Sequence, residues 1–108
     1  MEQSLLNYYI RNDVLIDACD FNPVLLSEGP GIYEVIRVID GKPLFFEAHA
    51  DRFCRSAKHE QFTFSFSQNS IKSSLRLLIE QNRMHLGNIR FQFIKHPQQG
   101  DLFLAWIT

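Results

Sequence analysis

The chain has 108 residues, enough for one domain with a single buried core. Apolar residues make up 45% and charged residues 21%, the balance of a globular protein, which sets aside a disordered or fibrous chain. The formal net charge is -1, and the lysines and arginines are scattered from Arg11 to Lys95 with no cluster to neutralise a run of phosphates, so no nucleic-acid partner is expected.

The first twenty residues mix Glu2, Arg11, Asp13 and Asp17 with short apolar pieces. They offer neither the apolar core of a signal peptide nor a membrane span, so a cytoplasmic protein with no membrane partner is expected. Leu5 to Ile10 is aromatic and β-branched, Asn12-Asp13 is turn chemistry, and Val14-Leu15-Ile16 returns: a hairpin. Phe21-Asn22-Pro23 and Ser27-Glu28-Gly29-Pro30-Gly31 interrupt the pattern, which predicts a loop holding a short extended piece. Ile32 to Ile39, the turn pair Asp40-Gly41 and Leu44-Phe45-Phe46 read as a second hairpin.

Ala50, Phe53, Cys54 and Ala57 recur at helical spacing, with Asp51, Arg52, Arg55 and Lys58 elsewhere on the wheel, predicting a helix from about Glu47 to His59. Ser67 is placed to cap a second helix with Ile71, Leu75, Leu78 and Ile79 on its apolar stripe, ended by Gly87-Asn88. Ile89 to Ile94 and Leu102 to Ile107 are strand candidates joined by the polar loop His96 to Asp101. The order predicts one α+β domain over residues 1–108, a mostly antiparallel sheet of five or six strands carrying two helices. Cys19 and Cys54 lie at no metal-binding spacing and are expected as reduced, mostly buried thiols.

Periodicity points to no reaction, but the wording of one segment does. Gly31-Ile32-Tyr33-Glu34-Val35-Ile36-Arg37-Val38, then Asp40-Gly41-Lys42-Pro43, then Glu47-Ala48-His49-Ala50-Asp51-Arg52-Phe53 with Arg55-Ser56-Ala57, resembles the first-domain signature of class IV, fold-type IV, aminotransferases. That family includes branched-chain and D-amino-acid aminotransferases and the aminodeoxychorismate lyase branch. The resemblance implies a two-domain enzyme that binds pyridoxal phosphate between its domains, acts on an amino acid and a 2-oxo acid, and pairs as a homodimer, with this chain as its smaller domain.

On the same resemblance, Arg52 matches the arginine that pairs with the cofactor phosphate, for which a guanidinium supplies a planar fork of donors. Tyr33 matches an aromatic position on the substrate side of the pocket, and Arg90 a position that in some members helps recognise a substrate carboxylate. Glu34 and Arg37 also fall on family positions, but on opposite faces of one strand, so they are expected to be structural. His49 is expected to start or pack the helix. The loop departs from the family, which is richer in glycine where this chain has Pro23 to Gly31, and Pro30 stiffens it.

In the family the lysine that links to the cofactor, the carboxylate at the pyridine nitrogen and a phosphate-binding helix terminus belong to the second domain. None of Lys42, Lys58, Lys72 or Lys95 matches that lysine, so no residue here is assigned a catalytic role and the chain is not expected to transaminate alone. The competing expectation is an interaction module that kept the fold and lost the chemistry.

Overall fold

The computed structural model describes residues 7–63 and 66–108. The predicted first-strand residues Leu5 and Leu6 lie outside the described residues. The sheet is built from β1 (Tyr8–Arg11), β2 (Val14–Asp17), β3 (Gly31–Ile39), β4 (Lys42–Pro43), β5 (Leu86–His96) and β6 (Gly100–Ile107), with α1 (Phe46–His59) and α2 (Gln68–Asn82) between β4 and β5. Its order is β2-β1-β6-β5-β3-β4, and every pairing is antiparallel, so the α+β expectation holds.

Both hairpin turns follow from residues that tolerate left-handed backbone. Asn12 and Asp13 have φ of 49° and 67°, and Asp40 and Gly41 have φ of 53° and 72°, the geometry that matches the twist of paired strands. Asn12 adds side-chain support, its Oδ1 accepting from the Phe103 amide at 2.7 Å. The second hairpin is shorter than expected, for β4 holds only Lys42 and Pro43. Phe45 takes a left-handed conformation (φ 56°, ψ 39°) that turns the chain into α1 one residue before the predicted start. Ser67 caps α2 as expected, in a capping box with Ser70.

Three further expectations are corrected. Residues 18–27 form two short 3-10 turns, Ala18–Asp20 and Pro23–Ser27, in place of an extended piece, because Asn22 accepts from the Val24 amide and Pro23 supplies a helical first residue. Helix α2 ends at Asn82 with Arg83 in left-handed backbone, while Gly87 and Asn88 belong to β5. The cysteines are free but not both buried: Cys19 is exposed and Cys54 half-buried. A hydrogen bond and charge from Asp17 raise the Cys19 thiol pKa, and burial raises that of Cys54, so neither is activated as a nucleophile.

Period-2 alternation gives the sheet two different faces. One carries Ile36, Val38, Ile89, Phe91, Phe93, Phe103 and Ala105 against the buried stripes of α1 and α2. The other carries Tyr9, Ile94, Leu102, Leu104 and Trp106 beneath the 3-10 segment, through Leu25, Leu26 and Phe21. That second cover leaves Tyr33, Val35 and Arg37 exposed on the same face. Gly29 and Gly31 press the entry to β3 onto β5, since an added Cβ would come within 2.3 Å of the Lys95 carbonyl oxygen or 2.2 Å of that of Phe93.

Asn82, buried at the end of α2, ties the helix to the sheet. Its Oδ1 accepts from the amides of Asn7 (2.8 Å) and Tyr8 (3.0 Å), and its Nδ2 donates to the carbonyls of Tyr8 (3.2 Å) and Leu78 (2.9 Å). Asn82→Ala strands these backbone groups and is expected to destabilise the domain by about 2 kcal/mol or more. Denaturant unfolding checks this as a lower midpoint at unchanged slope.

Candidate functional site

The register of β3 creates a problem that α1 solves. Glu34 lies among Ile32, Ile36 and Val38 on the helix-facing side of the strand and is only 8% exposed. A carboxylate there needs donors. Helix α1 supplies them from residues three apart, which share one edge of a helix. Arg52 donates from Nε to Oε2 and from Nη2 to Oε1, both at 2.8 Å, and His49 Nδ1 meets Oε1 at 2.8 Å. Phe53 and Ala50, beside them on α1, are buried and hold the helix against the sheet.

Burial is the largest influence on Glu34 and pushes its carboxyl pKa up, but the hydrogen bonds and charges of Arg52 and His49 together outweigh it and leave the pKa below the ordinary carboxylate value. The same bonds raise the Arg52 pKa, so the guanidinium stays charged. Arg52 remains 61% exposed. Its Nη1 has no protein partner among the described residues, so a fixed, charged fork is presented outward.

Tyr33 and Arg90 form a second group on the opposite face of the sheet. Val35 pairs with Arg90 and Tyr33 with Gln92 across β3 and β5, which places the Tyr33 and Arg90 side chains diagonally on one face. The Arg90 guanidinium carbon lies 3.9 Å from the Tyr33 ring centroid and 5.5 Å from that of Trp106, and Nε and Nη2 donate to Gln92 Oε1 at 3.3 and 3.1 Å. Tyr33 stays 56% exposed above it.

The residues singled out in the sequence therefore gather in two groups divided by one strand. Between them, β4 pairs with β3 at Val38 and Ile39 and the Leu44 amide donates to the Arg37 carbonyl, so from Gly31 to Ile36 the edge of β3 away from β5 carries no strand among the described residues. Glu34 and Arg37 do take opposite faces as expected, Glu34 buried and Arg37 exposed with Nη1 3.4 Å from Asn88 Oδ1. His49 sits in the first turn of α1, but its role is wider than packing because it shares the Glu34 carboxylate. Sequence reasoning treated that carboxylate as structural, though a charged residue in the inward register of a β-strand was a visible signal that a cation must meet it.

The sequence pattern of the amino-transferase class IV family matches residues 31–104, the stretch that holds both groups. The chain belongs to this family. It is 30% identical over 88 residues to a D-alanine aminotransferase of Listeria innocua, an alignment covering 82% of this chain and 29% of that protein. The class IV fold is equally plain in three dimensions. The branched-chain amino acid aminotransferase of Escherichia coli superposes with a TM-score of 0.81 at 21% identity, over 95% of this chain and 40% of that one. A putative 4-amino-4-deoxychorismate lyase of Legionella pneumophila gives 0.64 at 25% identity, over 79% and 35%. A hypothetical aminotransferase of Mycobacterium tuberculosis, solved in its PLP-bound form, gives 0.75 at 14% identity, over 94% and 39%. The chain thus spans less than a third of the length of the Listeria relative and well under half of these structures.

Glu34→Gln keeps the shape and removes the charge, so it should expose the sign of this linkage. A carboxyl with a depressed folded pKa contributes stability above its unfolded pKa, about 4.3 for glutamate, and loses that contribution as pH falls through the folded value. Wild type should therefore lose more stability than Glu34→Gln between neutral pH and the acid side of that window, read from denaturation midpoints across pH.

Proposed function

We propose that this chain is the cofactor-phosphate-contacting first domain of a pyridoxal-phosphate-dependent amino-acid aminotransferase. The reaction of the whole protein would be amino-group transfer between an amino acid and a 2-oxo acid, and the chain alone would not perform it. The observation that carries the proposal is the Arg52 guanidinium, anchored by Glu34 and His49 yet exposed, with Nη1 unengaged. Phosphate oxygens accept from such a fork with high directionality, and an arginine already fixed loses little freedom on binding.

Bound pyridoxal phosphate supplies the electron sink that amino-group chemistry requires. The residues of this chain would do the work around it. Arg52 would hold the phosphate, Glu34 and His49 would keep Arg52 aimed, and Tyr33 with Arg90 would receive a substrate carboxylate on the other side of the open β3 edge. Arg90 suits that task because Gln92 engages Nε and Nη2 while the aromatic stack keeps the guanidinium plane in place. An uncovered strand edge is a surface proteins normally protect, which favours a further domain packed along β3. A cytoplasmic location and a homodimer complete the proposal; among the described residues no helix is long and apolar enough to cross a membrane.

The second reading is an interaction module that kept the fold without the chemistry. The exposed apolar side chains Val35, Ile39 and Leu86, with Phe45 at 79% exposure, favour it as a surface for association. The lyase branch of the family is a variant of the first reading that this domain does not separate.

The product of the native gene decides between the two. Its mass should exceed that of this chain, and with pyridoxal phosphate it should hold an absorbance band that survives gel filtration and is abolished by borohydride. Arg52→Ala should weaken cofactor affinity by about tenfold or more, the loss of a charge-assisted pair. Arg90→Ala should raise KM for the amino acid with cofactor affinity unchanged. A native product that ends at Thr108 and shows only the spectrum of free cofactor would leave the interaction module as the better account.

A further inference from the structure

A third group of cations lies away from both patches. The β3–β4 turn and one side of α2 enclose a groove of about 180 Å³ lined by Gly41, Lys42, Pro43, Lys72, Arg76, Ile79 and Glu80. Pro43, Ile79 and the stems of the long side chains make its surface chiefly apolar, while Lys42, Lys72 and Arg76 bring positive charge to it. Glu80 is the single carboxylate of the lining, and no ion pair within 4 Å joins it to any of the three among the described residues.

The arrangement is unfavourable for the protein by itself. Lys72 and Arg76 stand four apart on α2, where like charges repel, and Lys42 adds a third charge from the facing turn. The framework nevertheless fixes part of the lining. The Lys72 ammonium sits 5.9 Å from the centroid of the Phe46 ring, and the turn before Lys42 is fastened by the Gly41 amide donating to the His85 carbonyl at 3.0 Å. Three cationic residues thus border a small concave, chiefly apolar surface, and an anion is what would neutralise them.

We infer that this groove is a binding site for a small organic anion, one carboxylate or phosphate on a short apolar body, distinct from the Arg52 site. The charges select an anionic head, the floor of Pro43 and Ile79 selects an apolar body, and the volume limits the ligand to a small molecule. Arg52 lies on α1, none of whose residues lines the groove.

The probe is phenyl phosphate, titrated into the 108-residue chain while its backbone amide spectrum is followed, with phenol and inorganic phosphate as the uncharged-body and bodiless controls. Saturable shifts of the Gly41, Lys42 and Ile79 amides are expected with phenyl phosphate, and weaker binding with either control. Lys42→Gln and Arg76→Gln, on opposite walls, should each weaken it by about threefold to tenfold, and raised salt should weaken it further. Both positions are exposed, so the amide dispersion of the variants should match wild type. Shifts confined to Asp51, Arg52 and Glu34, no saturable shift, or equal affinity in wild type and both variants would overturn the assignment. Phenol binding as tightly as phenyl phosphate would also overturn it, because charge would then play no part.

Discussion

A buried carboxylate in the inward register of β3 is the constraint on which the candidate site of this domain depends. Glu34 occupies a place that alternation reserves for an apolar residue. Leaving its charge unmatched would cost several kcal/mol, so α1 must bring a cation to it, and only residues on the sheet-proximal edge of that helix can reach. Arg52 and His49 are those residues, and their bonds to the two carboxylate oxygens fix the rotation of α1 about its axis. The apolar contacts of Phe53 and Ala50 press the helix to the sheet, and the ionic contacts set which way its polar edge faces.

The same register separates the two groups of residues. Because neighbours on a strand point to opposite faces, Tyr33 and Glu34 cannot serve one pocket within a single face, and each recruits a different arginine: Arg90 through a stack on β5, Arg52 through a fork on α1. The bare edge of β3 is where the two faces meet. A ligand lying along that edge would touch both. The shortness of β4 keeps the edge bare, and that shortness traces to Phe45, whose left-handed backbone turns the chain into α1 before a longer strand can pair.

Much of the fold was legible in the sequence where local chemistry is decisive. The two turns of Asn, Asp and Gly, the Ser67 cap, the alternation of β3 and the apolar run of β6 all act over a few residues, and the structure has them in place. What was not legible depended on contacts far along the chain. The 3-10 segment folds down because Leu25 and Phe21 have Trp106 and Tyr9 to cover, more than eighty residues from the first to the last of these. Asn82 looked like an ordinary polar residue near a helix end, and only the distant segment at Asn7 and Tyr8, lying alongside, gives its Oδ1 donors. In the candidate site, motif wording singled out Arg52, Tyr33 and Arg90, but not that Glu34 and His49 hold the first, nor that the sheet stands between the first and the other two.

The central claim is that Arg52, held by Glu34 and His49, is a phosphate receptor. A crystal structure of the native gene product soaked with pyridoxal phosphate tests it most directly. The account predicts phosphate oxygens within hydrogen-bond distance of Arg52 Nη1, with the Glu34 carboxylate still bonded to Nε. A phosphate seated elsewhere, with Arg52 contacting only Glu34 and solvent, would contradict it and leave the pair as a device that merely fastens α1 to the sheet.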